Sequence, residues 1–134
     1  MEKTINFSVQ NELDGTEVRL YARQMAQSLG LPHARVYRLS TAISELVNNL
    51  AFHTVKGGIV HLTPIEDCGK IGIEVVTEDD GPGIDNIELA MQDGFSTNGG
   101  LGSGLPGIQR LMDEFHLESK LGSGTRVVAR IWDR

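Results

Sequence analysis

The sequence predicts an α+β fold in two layers, in which helices lie on one face of a mostly antiparallel, mixed sheet. Two segments in the first half repeat apolar residues every three to four positions, as amphipathic helices do. Later segments alternate apolar and polar residues, as half-buried strands do, and hairpin turns are predicted between them. Such a mixture, with hairpins instead of regular βαβ units, is typical of a helical layer on one sheet.

The two amphipathic helices can be placed by their end signals and their apolar stripes. The first is predicted to begin at Asp14 or Thr16, both residue types that cap helices, and to run to about Leu29. The second is predicted to begin at Pro32 and to run through about Phe52. Its apolar residues recur at three- and four-residue spacing and are expected in the core: Val36, Leu39, Ile43, Leu46 and Leu50.

The remaining elements are shorter. Strands are predicted over residues 4–9, 59–64, 70–77, 116–120 and 125–132. A hairpin turn over residues 66–69 joins the second strand to the third. A short helix is predicted over residues 86–92, and a further helix is predicted to begin at Pro106 and to end near Phe115. A glycine-rich loop over residues 93–104 lies between these two helices.

Composition limits the class of protein. At 134 residues, with 40% apolar and 5% aromatic residues, the chain is expected to be one domain over residues 1–134 with an aliphatic core. Its formal net charge of −6 argues against nucleic-acid binding, which usually needs a basic surface. No apolar run is long enough to span a bilayer, and the start lacks a secretory signal. Cys68 is the single cysteine, which fits a cytoplasmic protein.

The first candidate motif, Glu-Leu-Val-Asn-Asn over residues 45–49, lies on the second helix. Glu45 and Asn49 are four residues apart, so both lie on one face, about one helical step from the apolar stripe. An amide oxygen suits Mg²⁺, and a carboxylate one turn away could orient or deprotonate a hydroxyl. The alternative is a solvated polar face without a chemical role.

The second motif, Asp-Asp-Gly-Pro-Gly over residues 79–83, follows the third predicted strand. The carboxylate of Asp79 could accept a hydrogen bond from an exocyclic amine, and Gly81 and Gly83 would let a flat base approach the main chain. The alternative is a plain hairpin turn, since Asp-Gly is a strong turn signal.

Glycine is concentrated around the third motif, because eight of the 16 glycines lie between Gly81 and Gly107. The motif is Gly-Leu-Gly-Ser-Gly-Leu over residues 100–105, and it opens a predicted helix whose free amides and dipole could bind phosphate. No strand directly precedes it and no Gly-Lys-Ser/Thr follows, so it is neither a dinucleotide fingerprint nor a P-loop. The alternative is a flexible loop.

The three motifs occur in order and are followed by Gly-Ser-Gly-Thr over residues 122–125. In this combination they resemble the Bergerat-type ATP-binding fold that gyrase, MutL and histidine kinases share. The match covers residues 44–125, and it implies a site for ATP and Mg²⁺.

The resemblance also implies a role for each matching residue. Asp79 would hold the adenine amine, Thr125 would lie near the adenine, and Asn49 would bind Mg²⁺. Glu45 would act as the catalytic base. The rest of the nucleotide site would come from small residues in two loops, of which the second forms a lid over the phosphates: Gly81, Gly83, Gly100, Gly102, Ser103 and Gly104.

Within that superfamily, three segments resemble the RsbT-type switch serine/threonine-protein kinases of bacterial stressosomes. They are Ser-Thr-Ala-Ile-Ser-Glu-Leu over residues 40–46, the stretch over residues 94–107 that begins Gly-Phe-Ser-Thr and ends Leu-Pro-Gly, and Arg-Leu-Met-Asp-Glu-Phe over residues 110–115. This resemblance covers nearly the whole chain. It implies a kinase of a partner-switching stress response that phosphorylates STAS-domain proteins and, when released, activates a PP2C-type phosphatase.

Two other functions compete with this interpretation. One is an anti-sigma-factor kinase that sequesters a sigma factor, and the other is a nucleotide-gated protein-binding module. Glu45 favours chemistry over simple binding, because nucleotide binding does not need a base at that position. Phe52 matches neither the lysine that is common there in histidine kinases nor the acid of gyrase-type ATPases.

Four arginines on the first two helices could dock an acidic partner, although a solvated charged face is the expected interpretation. They are Arg19, Arg23, Arg35 and Arg38.

Overall fold

One antiparallel sheet and a layer of helices on one of its faces form the protein, as seen in a computed structural model that describes residues 3–53, 57–81, 91, 104–119 and 121–134. The described elements, in chain order, are β1 (Ile5–Val9), α1 (Glu12–Leu29), α2 (His33–His53), β2 (Gly58–Asp67), β3 (Lys70–Asp79), α3 (Gly104–Leu111), β4 (Glu114–Ser119) and β5 (Thr125–Trp132). None of the helices within these residues has both the length and the apolar character that a membrane span requires. The predicted α+β class is confirmed.

The five strands of the sheet are ordered β1-β2-β3-β5-β4, and every neighbouring pair is antiparallel. The central strand β3 pairs with β2 on one side and with β5 on the other. The final residue of β3, Asp79, therefore lies opposite Gly58 in β2 and Thr125 in β5. This register places a carboxylate and a hydroxyl side by side at one end of the sheet.

The core between the two layers is aliphatic, as the composition predicts. All five apolar residues predicted for the stripe of α2 are buried: Val36, Leu39, Ile43, Leu46 and Leu50. From the sheet, Ile73 and Val75 of β3 and Ala129 and Ile131 of β5 are fully buried against the helices. The opposite face of the sheet carries charged side chains paired across strands, such as Arg130 with Glu74.

The start of α1 differs from the prediction. Asn11, rather than Asp14 or Thr16, caps the helix, since its Oδ1 accepts hydrogen bonds from the amides of Leu13 at 2.9 Å and Asp14 at 3.2 Å. Asp14 occupies the third helical position and accepts a bond back from the Asn11 amide at 3.3 Å. The pair is a capping box. Because Asn11 and Asp14 are both residue types that cap helices, the sequence alone led to Asp14 as the cap instead of Asn11.

The β2–β3 hairpin is longer than predicted. Its loop is only Cys68-Gly69, with φ values of 51° and 81°, between the paired residues Asp67 and Lys70. Two central residues with positive φ are typical of the type I′ turn, whose twist matches that of the strands. Because the ladder continues to Asp79, two residues beyond the predicted end of β3, that carboxylate lies within the sheet register.

The end of α3 is also shifted. The helix was predicted to end near Phe115, but it ends at Leu111, and Phe115 belongs to β4. The Asp113 amide donates to the carbonyl of Arg130 at 2.9 Å, which starts the β4–β5 pairing. Tertiary pairing therefore overrides the helical pattern. The helix predicted over residues 86–92 and most of the loop predicted over residues 93–104 lie outside the described residues.

Candidate nucleotide site

Asp79 ends β3 with its carboxylate partly exposed. Its Oδ1 accepts a hydrogen bond from the Gly81 amide at 2.8 Å, so the turn after the strand fixes the orientation of the side chain. On the β5 side, a Cβ built on Gly124 would lie 2.0 Å from the Asp79 carbonyl oxygen, and Gly124 has φ +83°. Only glycine allows the main chain to approach Asp79 this closely.

Three polar side chains form one row across the end of the sheet. Thr125 pairs with Asp79 of β3 on one side and with Ser119 of β4 on the other. The hydroxyls of Ser119 and Thr125 are 2.9 Å apart, and the Ser119 hydroxyl also donates to the Gly124 carbonyl at 3.0 Å. Directly paired residues lie on the same face of a sheet, so the row continues the face that carries the buried Val127.

Ser119 was not among the residues predicted for the site. The signal for it is weak, because it is the last residue of a short strand and belongs to none of the three motifs. It stands out only through its position, since Leu117 and Phe115, two and four residues earlier, are apolar residues packed against the core. A polar residue at the end of such an alternation lies where the apolar core ends and the candidate site begins.

An open depression of about 530 Å³ lies over this row. The depression wraps around the end of the sheet. Its lining includes the row of Asp79, Ser119 and Thr125 with Gly124, and also residues that face the other side of the sheet, Glu78, Glu118 and Arg126. The volume is within the range of small-molecule sites, about 300–1,000 Å³. The depression therefore joins two predicted adenine contacts, Asp79 and Thr125, in one place.

Glu45 and Asn49 lie on α2, one turn apart and half-buried, beside the fully packed Leu46 and Leu50. Within the described part of the chain, neither side chain has a hydrogen-bond partner. The side chain of Leu50 places this part of α2 next to the end of the sheet. A Cβ on Gly58 would lie 2.7 Å from Leu50 Cδ2 and 3.3 Å from Asp79 Cβ, so both side chains meet at the same glycine.

The residues present fit a magnesium ion that is shared with a nucleotide. Among the described residues there is no group of three histidine, cysteine, aspartate or glutamate side chains that could hold a metal. Mg²⁺ does not need such a group, because it keeps several waters and binds through one or two protein oxygens together with substrate phosphates. The half-buried amide of Asn49 can supply one such oxygen.

The glycine-rich segment is described only at its end. Gly104 is the first residue of α3, and a Cβ built there would have no atom of the described residues within 4 Å. The predicted site residues Gly83, Gly100, Gly102 and Ser103 lie outside the described residues.

The neighbour of Asp79 in β3 faces the other side of the sheet. Glu78 accepts hydrogen bonds from His61 and from Arg126, each at 3.1 Å. The hydrogen bond from His61, followed by that from Arg126, lowers the pKa of the Glu78 carboxyl below its ordinary value, against the effect of desolvation. The negative charge of Glu78, which also lines the depression beside Asp79, is thus compensated locally by its own partners.

Comparison with known proteins gives a consistent result. Residues 9–131 match the family described as histidine kinase-like ATPase domain. The chain is 45% identical over 126 residues to the serine/threonine-protein kinase RsbT of Bacillus subtilis, covering 94% of each chain. It is 35% identical over 117 residues to the anti-sigma F factor of a Thermoanaerobacter species, covering 84% of this chain and 78% of the other.

Solved structures agree in fold. The RsbU and RsbW domains of a Mycobacterium tuberculosis protein superpose with a TM-score of 0.64 at 18% identity, and the match covers 96% of this chain and 32% of that one. The catalytic domain of histidine kinase ThkA superposes with a TM-score of 0.55 at 16% identity, covering 98% of each chain. The predicted ATP-binding fold is therefore confirmed.

Proposed function

Because the chain belongs to the histidine kinase-like ATPase family and, within it, to the RsbT-type serine/threonine-protein kinases, we propose that it phosphorylates STAS-domain proteins in a bacterial partner-switching stress pathway. The observation that carries the proposal is the 45% identity to RsbT over 94% of both chains. The row of Asp79, Thr125 and Ser119 supports it, because it forms a polar edge with hydrogen-bonding groups, which a base would need, at the end of an apolar sheet.

The adenine end of ATP would lie in the depression at the end of β3. A carboxylate accepts hydrogen bonds, so Asp79 would bind the exocyclic amine of adenine rather than the carbonyl that guanine has at that position. The Gly81 amide already holds one carboxylate oxygen, which orients the group before the base arrives. Thr125, held by Ser119, would contact the base beside it.

The phosphate end would lie between α2 and the start of α3. The Asn49 amide oxygen would bind Mg²⁺, which neutralises charge on the phosphates and aligns them for transfer. The first amides of α3, beginning at Gly104, have no intrahelical partners and carry the positive end of the helix dipole. The residues predicted for the lid, Gly100, Gly102 and Ser103, would complete the contact.

Glu45 would act as the base for the attacking hydroxyl. The substrate oxygen forms a bond to the γ-phosphorus while the bond to the ADP oxygen breaks, and the hydroxyl proton passes to the Glu45 carboxylate. Glu45 is half-buried and without a hydrogen-bond partner among the described residues, so an incoming hydroxyl does not have to displace an ion pair.

Partner exchange would follow from the phosphorylation. A new phosphate carries about −1.5 to −2 charge, and the kinase itself carries a net charge of −6. Repulsion would weaken the complex with the phosphorylated STAS protein. The released kinase would then bind and activate a PP2C-type phosphatase. The setting would be the cytoplasm, within a stressosome pathway.

A second candidate function is an anti-sigma-factor kinase. The observation that favours it is the 35% identity to an anti-sigma F factor over 84% of this chain. The two functions differ in what the protein retains, since an anti-sigma kinase holds a sigma factor and a switch kinase does not.

A retention experiment separates the two. The kinase is immobilised with ATP and challenged with a STAS-domain protein in non-phosphorylatable and phosphomimetic forms, and in parallel with a sigma factor. The proposal predicts strong retention of the non-phosphorylatable form only. Equal retention of both STAS forms, or retention of the sigma factor instead, would contradict it.

A further inference from the structure

The C-terminal end of α3 is held by an arginine of α2. Arg38 Nε donates a hydrogen bond to the carbonyl of Leu111 at 2.8 Å, and Leu111 is the last residue of α3. The last four carbonyls of a helix lack partners within the helix and carry the negative end of its dipole. A guanidinium at this place therefore satisfies an orphan acceptor and stabilises the dipole with its charge.

A second contact closes the same junction. Arg35, one turn earlier on α2, donates to Asp113 Oδ2 at 2.9 Å and to the carbonyl of Trp132 at 3.1 Å. The same Asp113 oxygen accepts a bond from the Trp132 amide at 2.8 Å, and Arg38 Nη2 lies 3.6 Å from Asp113 Oδ1. The side chains of Arg35, Arg38 and Asp113 are only 23%, 32% and 27% exposed. They are structural contacts and not the solvated face that the sequence predicts.

The same stripe of α2 carries both this anchor and the proposed reactive groups. Glu45 is seven residues and Asn49 eleven residues after Arg38, and each separation differs from a whole number of helical turns by only about 20°. Along the axis, the two lie about 10 and 16 Å beyond Arg38, and α3, which packs against α2, is about 12 Å long. One rigid helix thus presents the proposed base and metal ligand and also fixes one end of α3.

The helix α3 needs an external anchor. It has eight residues, among them Gly104, Pro106 and Gly107. Isolated helices shorter than about 12 residues are marginal in water, and glycine weakens them further, although Pro106 lies in the first turn, where proline is tolerated. Tertiary contacts such as those of Arg38 therefore determine where α3 lies.

We propose that Arg38 is a positioning residue for the phosphate end of the nucleotide site: by holding the last turn of α3 against α2, it sets the place of the first amides of α3 relative to Glu45 and Asn49. The proposal rests on the proposed kinase function, because it assigns those amides to phosphate. Arg38 itself contacts Leu111 and Asp113, so it acts through α3.

The test compares Arg38→Gln and Arg38→Lys with the control Arg23→Gln, which changes an exposed arginine of α1 with no hydrogen bond in the described structure. Calorimetry gives the affinity of each protein for Mg²⁺–ATP and for adenosine, and hydrogen exchange without nucleotide follows the amides of residues 104–111. We expect Arg38→Gln to lower ATP affinity about tenfold, which corresponds to the loss of about one hydrogen bond to phosphate, while adenosine affinity changes less than about twofold. Arg38→Lys keeps the charge but loses the planar set of donors. We expect its ATP affinity to lie between those of Arg38→Gln and the unaltered protein.

Each result of this experiment either supports or contradicts the proposed role of Arg38. Faster exchange of α3 in Arg38→Gln, with selective loss of ATP affinity, supports the proposal. Three results would overturn it: unchanged exchange, which shows no anchor; unchanged ATP affinity, which shows that the anchor does not affect the phosphate contacts; or equal losses for ATP and adenosine, which show only general damage. If the unaltered protein binds no ATP at all, the proposed function fails, whereas the anchoring of α3 is still decided by the exchange data.

Discussion

Asp79 and Thr125 lie directly opposite each other and form the last paired position between the central strand β3 and β5. A shift of the register by one residue would turn either side chain to the other face of the sheet. The alternation of buried residues along both strands prevents such a shift, because Ile73, Val75, Val127 and Ala129 must face the helices. Packing of the core thus determines where the polar edge of the proposed nucleotide site lies.

Asp79→Asn is expected to weaken ATP binding without unfolding the protein. The amide can still accept from the Gly81 amide, but it replaces a charged acceptor for the adenine amine with a neutral one. Loss of a hydrogen bond to a charged group corresponds to about 10- to 100-fold in affinity. Calorimetry measures the change, and Asp67→Asn, in the exposed turn at the other end of β3, is the matched control. Equal ATP affinity in Asp79→Asn and the unaltered protein would remove Asp79 from the site.

Glu45→Ala is expected to separate binding from chemistry. ATP affinity should be close to that of the unaltered protein, while the single-turnover rate of phosphoryl transfer should fall by about 10²- to 10⁴-fold, the usual contribution of a positioned base. Rapid-quench kinetics under single-turnover conditions provides the rate. Glu66→Ala, at the exposed end of the β2–β3 hairpin, should change neither quantity. A rate in Glu45→Ala equal to that of the control would show that Glu45 is not the base.

Two glycines of the β4–β5 turn offer a matched pair of substitutions. Gly122 and Gly124 both have φ +83°, but a Cβ on Gly122 would meet no described atom within 4 Å, while one on Gly124 would lie 2.0 Å from the Asp79 carbonyl oxygen. Gly122→Ala is expected to cost about 1–2 kcal/mol of unfolding free energy for its left-handed backbone alone. Gly124→Ala is expected to cost at least about 2 kcal/mol more and to reduce ATP affinity.

Denaturant unfolding and calorimetry measure these two effects. Equal unfolding free energies for the two variants would mean that the close approach of Gly124 to Asp79 is not a constraint on the folded protein.

The pair of Glu78 and His61 predicts a specific pH dependence. The pKa of Glu78 is lowered from its ordinary value of 4.5, mainly by the hydrogen bond from His61. A carboxyl whose folded pKa is lowered stabilises the protein above the ordinary value and loses that contribution as the pH falls through the lowered pKa. The Glu78 side chain is 45% exposed, so the contribution is expected to stay below about 1 kcal/mol.

The measurement is urea unfolding of the unaltered protein and Glu78→Gln at about pH 6 and about pH 3. The unaltered protein should exceed the variant in unfolding free energy at the higher pH, and the difference should shrink at the lower one. A difference that grew on acidification would contradict the assigned direction.

Much of the fold was predictable because the signals are local or periodic. The apolar stripe of α2 and the alternation in β5 follow from periods of about 3.6 and 2 residues, and the structure places both as predicted. The errors lie at element ends, where two local choices compete. Asn11 and Asp14 can each cap a helix, and only the reciprocal hydrogen bonds of the capping box show which one does so.

The parts of the site that could not be predicted depend on contacts between distant residues. Ser119 reaches Thr125 only because β4 pairs with β5, and Arg38 contacts Leu111 across 73 residues of sequence. From the sequence alone, Arg38 is simply a charged residue on a helix face, and Ser119 is a polar residue near a turn. Asp79 was identifiable because its motif is contiguous, whereas its pairing with Gly58 required the longer hairpin that the structure has.

The most direct test of the account is phosphate transfer from labelled ATP to a purified STAS-domain protein of the same organism, followed by identification of the labelled residue. We predict Mg²⁺-dependent labelling of a serine or threonine in the STAS protein, which Glu45→Ala slows by about 10²- to 10⁴-fold while its ATP binding persists. Labelling that does not depend on Glu45, or an ATP-binding protein that labels no STAS serine or threonine, would contradict the proposed kinase function.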